Sequence, residues 1–308
     1  MLTKRSVLLS KIESTYGTDS TPGGTDAVRV ENLQINPAAS ARMHERPAIR
    51  GTLGTLKHVY GGSLGEITFD VPVAGSGTAG TAPEFDSLLR ACAMGSTIVA
   101  GTSVTYSPVS SGFESTTIKF YEDGTLYALT GAVGNVSLNA EAGKFGVLSF
   151  TMTGHIAAVS DASLVSGTFD TAVPPVFLGA SFAIDSYAAV ISAFSFDLQN
   201  TIAMPPSVNS ADGFAAIRVT GRDVVTSFDP EKVTVATEAF EANWRSGAAM
   251  ALATGTIGGT AGNRWSVSMP AVSYRELSKG DRDGIVVYEL SGGAAEDSGD
   301  DEISVAFT

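Results

Sequence analysis

Cysteine is almost missing: Cys92 is the only one in 308 residues, which excludes a disulfide scaffold. Cations are scarce, with 19 Lys and Arg against 32 Asp and Glu, a net charge of −13. A surface that wraps nucleic acid is built from clustered Lys and Arg, so that class of function is excluded. Long hydrophobic runs are lacking as well. Stretches such as residues 248–253 fall far short of the ~18–20 residues a membrane helix needs. Near the N-terminus, Lys11 and Glu13 interrupt the apolar run before a secretory core forms. Only 17% of residues are charged while 44% are hydrophobic, so disorder is excluded. What remains is an acidic chain, expected to be soluble and intracellular, with a length that suits about two domains.

The dominant period is two. In GEITFDVPV, Ile67, Phe69, Val71 and Val73 fall on one face and Glu66, Thr68 and Asp70 on the other, as in a half-buried strand. Phe194, Phe196 and Leu198 alternate with Ser195, Asp197 and Gln199 in the same way. Asp123-Gly124 between two β-rich runs reads as a hairpin turn. Two segments carry helical spacing. Over 83–94, Phe85, Leu88, Leu89 and Cys92 form an apolar stripe; over 237–255, Phe240, Trp244, Gly247, Ala248 and Ala251 do. Phe240 and Trp244 join the first set as candidate core residues.

Each helix is preceded by strand, long loop and strand, and followed by further strands. That order predicts two copies of one β-domain of roughly 150 residues, over 1–158 and 159–308, linked through about 156–176.

Short motifs of chemistry fail on context. GSGTAG at Gly75, Gly77 and Gly80 matches a dinucleotide fingerprint, but Thr81, Ala82 and Pro83 separate it from the helix, and no βαβ alternation surrounds it. GGSLG fits a nucleophile elbow around Ser63, yet a strand comes next where a helix is required. His44, His58 and His155 show no metal-ligand spacing. The acidic run DSGDDE near the C-terminus lacks an EF-hand loop and reads as a solvated turn. No catalytic, cofactor or metal site is expected.

Longer strings carry more information: LLSKIESTYGTDSTP, ENLQINP, VAGSGTAGTAPEFDSLLRACAM, VTYSPVSSGFESTTIKFYEDG and LTGAVGNVSLNAEAGKFGVLSFTMTG. In these the chain resembles major tail tube proteins of long, non-contractile-tailed bacteriophages (siphophage type), in a variant with two tandem tube domains. The match is dense over 7–155 and looser over 156–308, where GDDEISVAFT looks like a tube domain's last strand.

The resemblance implies a mainly β fold of two β-sandwich or barrel domains, each with one flanking helix. It implies a virion subunit, assembled in the host bacterial cytoplasm, that forms rings stacked into a hollow conduit for DNA. Partners would be further copies of the chain and the tape-measure, terminator and tip proteins, with no membrane insertion. Since single-domain rings of this family are sixfold, three two-domain chains would close a pseudo-sixfold ring. The N-terminal arm at 1–26 and the loop at 37–63 would contact neighbours, becoming ordered mainly on assembly. Glu66, Thr68, Asp70, Ser195, Asp197 and Gln199 are the candidate lumen-facing residues, because a channel for DNA avoids clustered cations. The alternative reading is another β-rich virion or surface component for decoration, adhesion or carbohydrate binding.

Overall fold

Alternation builds the strand Leu64–Pro72, in which Ile67, Phe69 and Val71 are buried while Glu66, Thr68 and Asp70 are half-buried on the other side. The same rule organises most of the chain, which is mainly β with two short helices. The structure, a computed structural model, describes residues 2–308.

Eight strands lie side by side in one antiparallel sheet. In spatial order they are Glu31–Ala39, Leu64–Pro72, Val147–Ile156, Thr125–Glu141, Ala193–Asp197, Val225–Phe228, Ile285–Ala295 and Trp265–Arg282. The first four and the last four have the same order. In each set the fourth strand forms a hairpin with the third: Thr125–Glu141 runs into Val147–Ile156, and Trp265–Arg282 into Ile285–Ala295.

Along its other edge Thr125–Glu141 carries two neighbours in succession, first Thr116–Glu122 and then Ala193–Asp197. A bulge between Thr130 and Val133 turns the strand from one neighbour to the next. Gly131 makes the bend, with φ at 58° and the Tyr16 ring so close that a Cβ would lie 2.7 Å from it. Trp265–Arg282 carries Ala249–Ala253 on the matching edge and bulges between Tyr274 and Glu276.

The network is barrel-like, yet the eight-strand sheet stays open at both of its outer edges. Among the described residues, Glu31–Ala39 pairs only with Leu64–Pro72, and beyond Ser273 the strand Trp265–Arg282 pairs on one side only.

A second junction joins the halves. The C-terminal strand Ser304–Phe307 lies between Ser103–Pro108 and the start of Trp265–Arg282. Phe307 stacks edge-on against Phe85 and Tyr106. The main hydrophobic cluster accordingly takes residues from both halves, including Phe69 with Phe150 and Phe194 with Phe182.

Helix α1, Asp86–Ala91, is shorter than its stripe predicts. Pro83 and Glu84 form the turn that leads in, since Asp86 N donates to the Pro83 carbonyl. Phe85, Leu88, Leu89 and Cys92 are all at most 2% exposed. Burial pushes the Cys92 thiol well above its usual range. Helix α2, Phe240–Ser246, corrects the expected helix over 237–255. Gly247 adopts a left-handed C-cap at φ 67°, and the chain then enters the strand Ala249–Ala253 with Met250 and Leu252 buried. Period two in Ala-Met-Ala-Leu-Ala thus prevails once glycine has ended the helix. Phe240 is buried, but Trp244 is 39% exposed. Its placement in the core is corrected: the indole lies on the surface and donates to the Arg275 carbonyl.

The expected arm at 1–26 is also corrected. Ser6–Ile12 pairs along its whole length with Thr116–Glu122, and Leu8 and Leu9 are buried. Two leucines in a β-rich run gain more from the sheet than from solvent. Glu13, 7% exposed, anchors the next turn by accepting from the amides of Gly17 and Gly131 and the hydroxyls of Ser115 and Thr117. The loop at 37–63 does project. It holds one short ladder, Met43–His44 with Val59–Tyr60, and leaves Ile49 and Leu53 fully exposed.

Candidate functional site

Residues directly opposite in adjacent strands share a face, so the ladder registers show which polar groups the sheet gathers. One row runs Glu31, Asp70, Ser149, Ser137, Asp197 across five strands. Another runs Asn139, Ser195, Ser227, Ser291, Glu276 across the next. Glu66, Thr68, Asp70, Ser195 and Asp197 therefore lie on one face of one sheet, with Phe69, Phe194 and Phe196 buried behind it. Asp70 and Asp197 are three strand spacings apart, about 14 Å. Gln199 does not belong to that face. Its strand ends at Asp197, and Gln199 sits in the succeeding turn at φ 47° with its amide bonded to Asp197.

The face is held by hydrogen bonds among its own side chains. Asn32 Nδ2 and Ser149 Oγ donate to Asp70 at 2.8 and 2.6 Å, and Asn135 Nδ2 donates to Asp197 at 2.7 Å. Such a surface is acidic, short-chained and well ordered. It repels polyanions weakly, and the two rows themselves contain no cation.

The glycine and serine motifs have structural roles. The Gly75–Gly80 loop packs backbone to backbone on the 258–263 turn. The Gly77 amide donates to the Gly262 carbonyl, and a Cβ at Gly262 would come within 2.4 Å of Thr78 N. The glycines allow close approach between two chain segments. Ser63 is buried just before the strand Leu64–Pro72 and hydrogen-bonds the Tyr60 hydroxyl at 2.6 Å.

His155 has partners that its sequence neighbours do not reveal. Its Nδ1 lies 2.5 Å from Asp212 and its Nε2 3.2 Å from the Tyr16 hydroxyl, which accepts from the Ile217 amide. Burial pushes the Tyr16 phenol up to about 12, so it stays neutral at physiological pH. The chain of bonds ties the N-terminal segment and the 212–217 turn to the strand Val147–Ile156. Among the described residues, no group of three or more His, Cys, Asp or Glu gathers to hold a metal ion.

The C-terminal acidic run is an exposed turn over 296–299, as expected, but its later carboxylates have partners. Asp301 accepts from the Asp297 and Ser298 amides, while Asp300 and Glu302 both bind Arg222. Hydrogen bonds from Ser110 and Arg222 hold the Asp300 carboxyl below the usual carboxylate range. Its stabilising contribution is therefore present at neutral pH and is lost as pH falls through that lowered range. Arg222→Ala should cost about 1–3 kcal/mol, most of it through Glu302, since Asp300 is the more exposed partner. Thermal unfolding at pH 7 and pH 3 checks this: the gap from wild type should narrow in acid.

Sequence reasoning misses the open edges of the eight-strand sheet, at residues 31–36 and 276–282. Only the bulges at Gly131 and Tyr274–Glu276 mark where strands change neighbours.

Among the described residues, no helix is long and apolar enough to cross a membrane. A family model described as phage tail tube protein matches residues 3–308 of the chain. No curated protein matches it.

Proposed function

Since the chain belongs to the phage tail tube protein family and is a structural subunit of a bacteriophage tail tube, we propose that three copies close each ring of that tube. The observation that carries this is the eight-strand sheet in which one order of four strands occurs twice. On this reading 1–158 and 159–308 are two tube domains, and the ring is pseudo-sixfold. Three chains supply twenty-four strands. With spacings of ~4.8 Å and a tilt near 40°, the backbone barrel is about 48 Å across, leaving a channel wide enough for duplex DNA. Six chains would give a wall roughly twice as wide.

The polar rows through Asp70 and Asp197 line the channel, and the apolar side packs outward onto the helices. An acidic, hydrogen-bonded wall lets DNA pass without adhesion. The tail is of the long, non-contractile type, a reading that rests on the strings of the N-terminal half. Its rings are built in the host cytoplasm, with tape-measure, terminator and tip proteins as further partners.

The 37–63 loop contacts the next ring. Ile49 and Leu53 are bare in the single chain, and an exposed apolar tip of this kind is covered in an assembly. Replacing both by Ser should leave ring-sized particles but few rods. Size-exclusion chromatography beside electron microscopy separates those outcomes.

Negative-stain microscopy of the purified protein tests the function itself. Hollow rods of constant width are expected; small oligomers that bind a glycan and never polymerise would overturn the reading.

A further inference from the structure

The junction between the two halves predicts the junction between two chains. We propose that residues 276–282 of one copy pair antiparallel with residues 31–36 of the next, with Arg282 opposite Glu31, Gly280 opposite Gln34 and Ser278 opposite Asn36. The inference rests on the ring reading above and adds the edges and their register.

Both edges are open. Among the described residues, the segment 276–282 has backbone partners only in Ile285–Ala295, and 31–36 only in Leu64–Pro72. Unpaired strand edges are templates for another chain. The partner is identified by a junction the chain already contains, where residues 137–141 pair with 193–197.

Two independent alignments place the copy. On Thr125–Glu141 the last pair with the preceding strand is Ala132 with Thr116, and Ser137, five residues on, meets Asp197. On Trp265–Arg282 the last such pair is Ser273 with Ala249, and five residues on is Ser278. The hairpin partners give the same answer. Ser137 pairs with Ser149, one residue before Phe150 opposite Phe69. Ser278 pairs with Glu289, one residue before Leu290 opposite Phe228. Ser278 thus corresponds to Ser137, and Arg282 to Glu141.

The receiving strand aligns through the same neighbours. Phe69 and Phe228 correspond, so Glu31, opposite Asp70, takes the position of Ala193, next to Phe194 opposite Phe228. Gln34, opposite Thr68, takes that of Ser195, opposite Ser227. Leu33 and Ile35 remain on the apolar face, where both already pack against the core. The bulge between Glu31 and Gln34 absorbs one extra residue. The register also sets Arg282, a cation, against Glu31, and opposite charges directly across a ladder favour pairing.

Cysteine cross-linking in the full chain tests it. Cys92 is fully buried and stays out of the reaction while the protein is folded. Opposed Cβ atoms at this spacing are within reach of a disulfide after small adjustment. The double variant Gly280→Cys with Gln34→Cys, oxidised as assembled rods and alkylated before denaturation, should give covalent species that stop at three chains. Mixing the two single variants should give covalent dimers and nothing larger. The shifted pair Ser278→Cys with Glu31→Cys should cross-link at less than a tenth of that yield. Rods that cross-link better through the shifted pair, or through neither, overturn the register and leave the tube reading standing. Wild-type protein that forms no rods overturns the tube reading instead.

Discussion

Leu88→Ala should destabilise the folded chain by about 2–5 kcal/mol, the range for truncating a fully buried leucine. Helix α1 has only six residues, too few to persist without tertiary contacts. It stands because its apolar side is locked into the core, with Leu88 and Cys92 wholly inaccessible and Phe85 against Phe307 from the far end of the chain. A void there would loosen the contact between the first half and the C-terminal strand. Arg90, bonded to Asp86 and Glu114 on the polar side, cannot compensate for lost apolar contact. Thermal unfolding and soluble yield report the loss. Trp244→Ala is the internal comparison: the side chain is partly exposed, so its cost should be well under half as large. Equal effects at the two positions would contradict the assignment of α1 as a core element.

Reversing Asp70 and Asp197 to lysine together should leave rods that assemble while infectivity falls by orders of magnitude. Both aspartates lie on the polar face, away from the buried phenylalanines, so the core is untouched. On the three-chain ring proposed above, the double reversal changes the wall by roughly twelve unit charges per ring, repeated along the tube. Cations in a confined channel bind phosphate and release counterions, which retains the DNA instead of passing it. Asp70→Asn with Asp197→Asn separates charge from local structure, because one amide oxygen still accepts from Asn32 while the new NH2 group donates to Ser149 Oγ, and the other amide oxygen still accepts from Asn135. That variant should deliver DNA nearly as wild type does. Reversed particles that remain fully infectious would show that this face lies outside the channel.

Much of the fold is legible in the residues. Strict alternation in Leu64–Pro72 marks both its faces, because a half-buried strand writes its burial into period two. The six candidate lumen residues come from that rule; five share one face of the sheet, and Gln199 leaves it where the strand stops and the backbone turns left-handed. Helix α2 reads too long from sequence because alanine and methionine suit either state, and Gly247 rather than Gly255 ends it. Ser6–Ile12 reads as a loose arm because its partner, Thr116–Glu122, lies more than a hundred residues away. Similar separation along the chain hides Arg222 from the acidic run it neutralises and Asp212 from His155. Ladder order across the sheet is not encoded in any window of sequence, so the open edges emerge only from the pairings.

The central claim is that one chain carries two tube units and that three chains close a ring. Symmetry-resolved averaging of assembled rods by electron cryomicroscopy measures this directly. Three chains per ring with twenty-four inner strands, and density joining residues 276–282 of one copy to 31–36 of the next, is the result predicted. Six chains per ring, or a sheet that closes within a single chain, would contradict it.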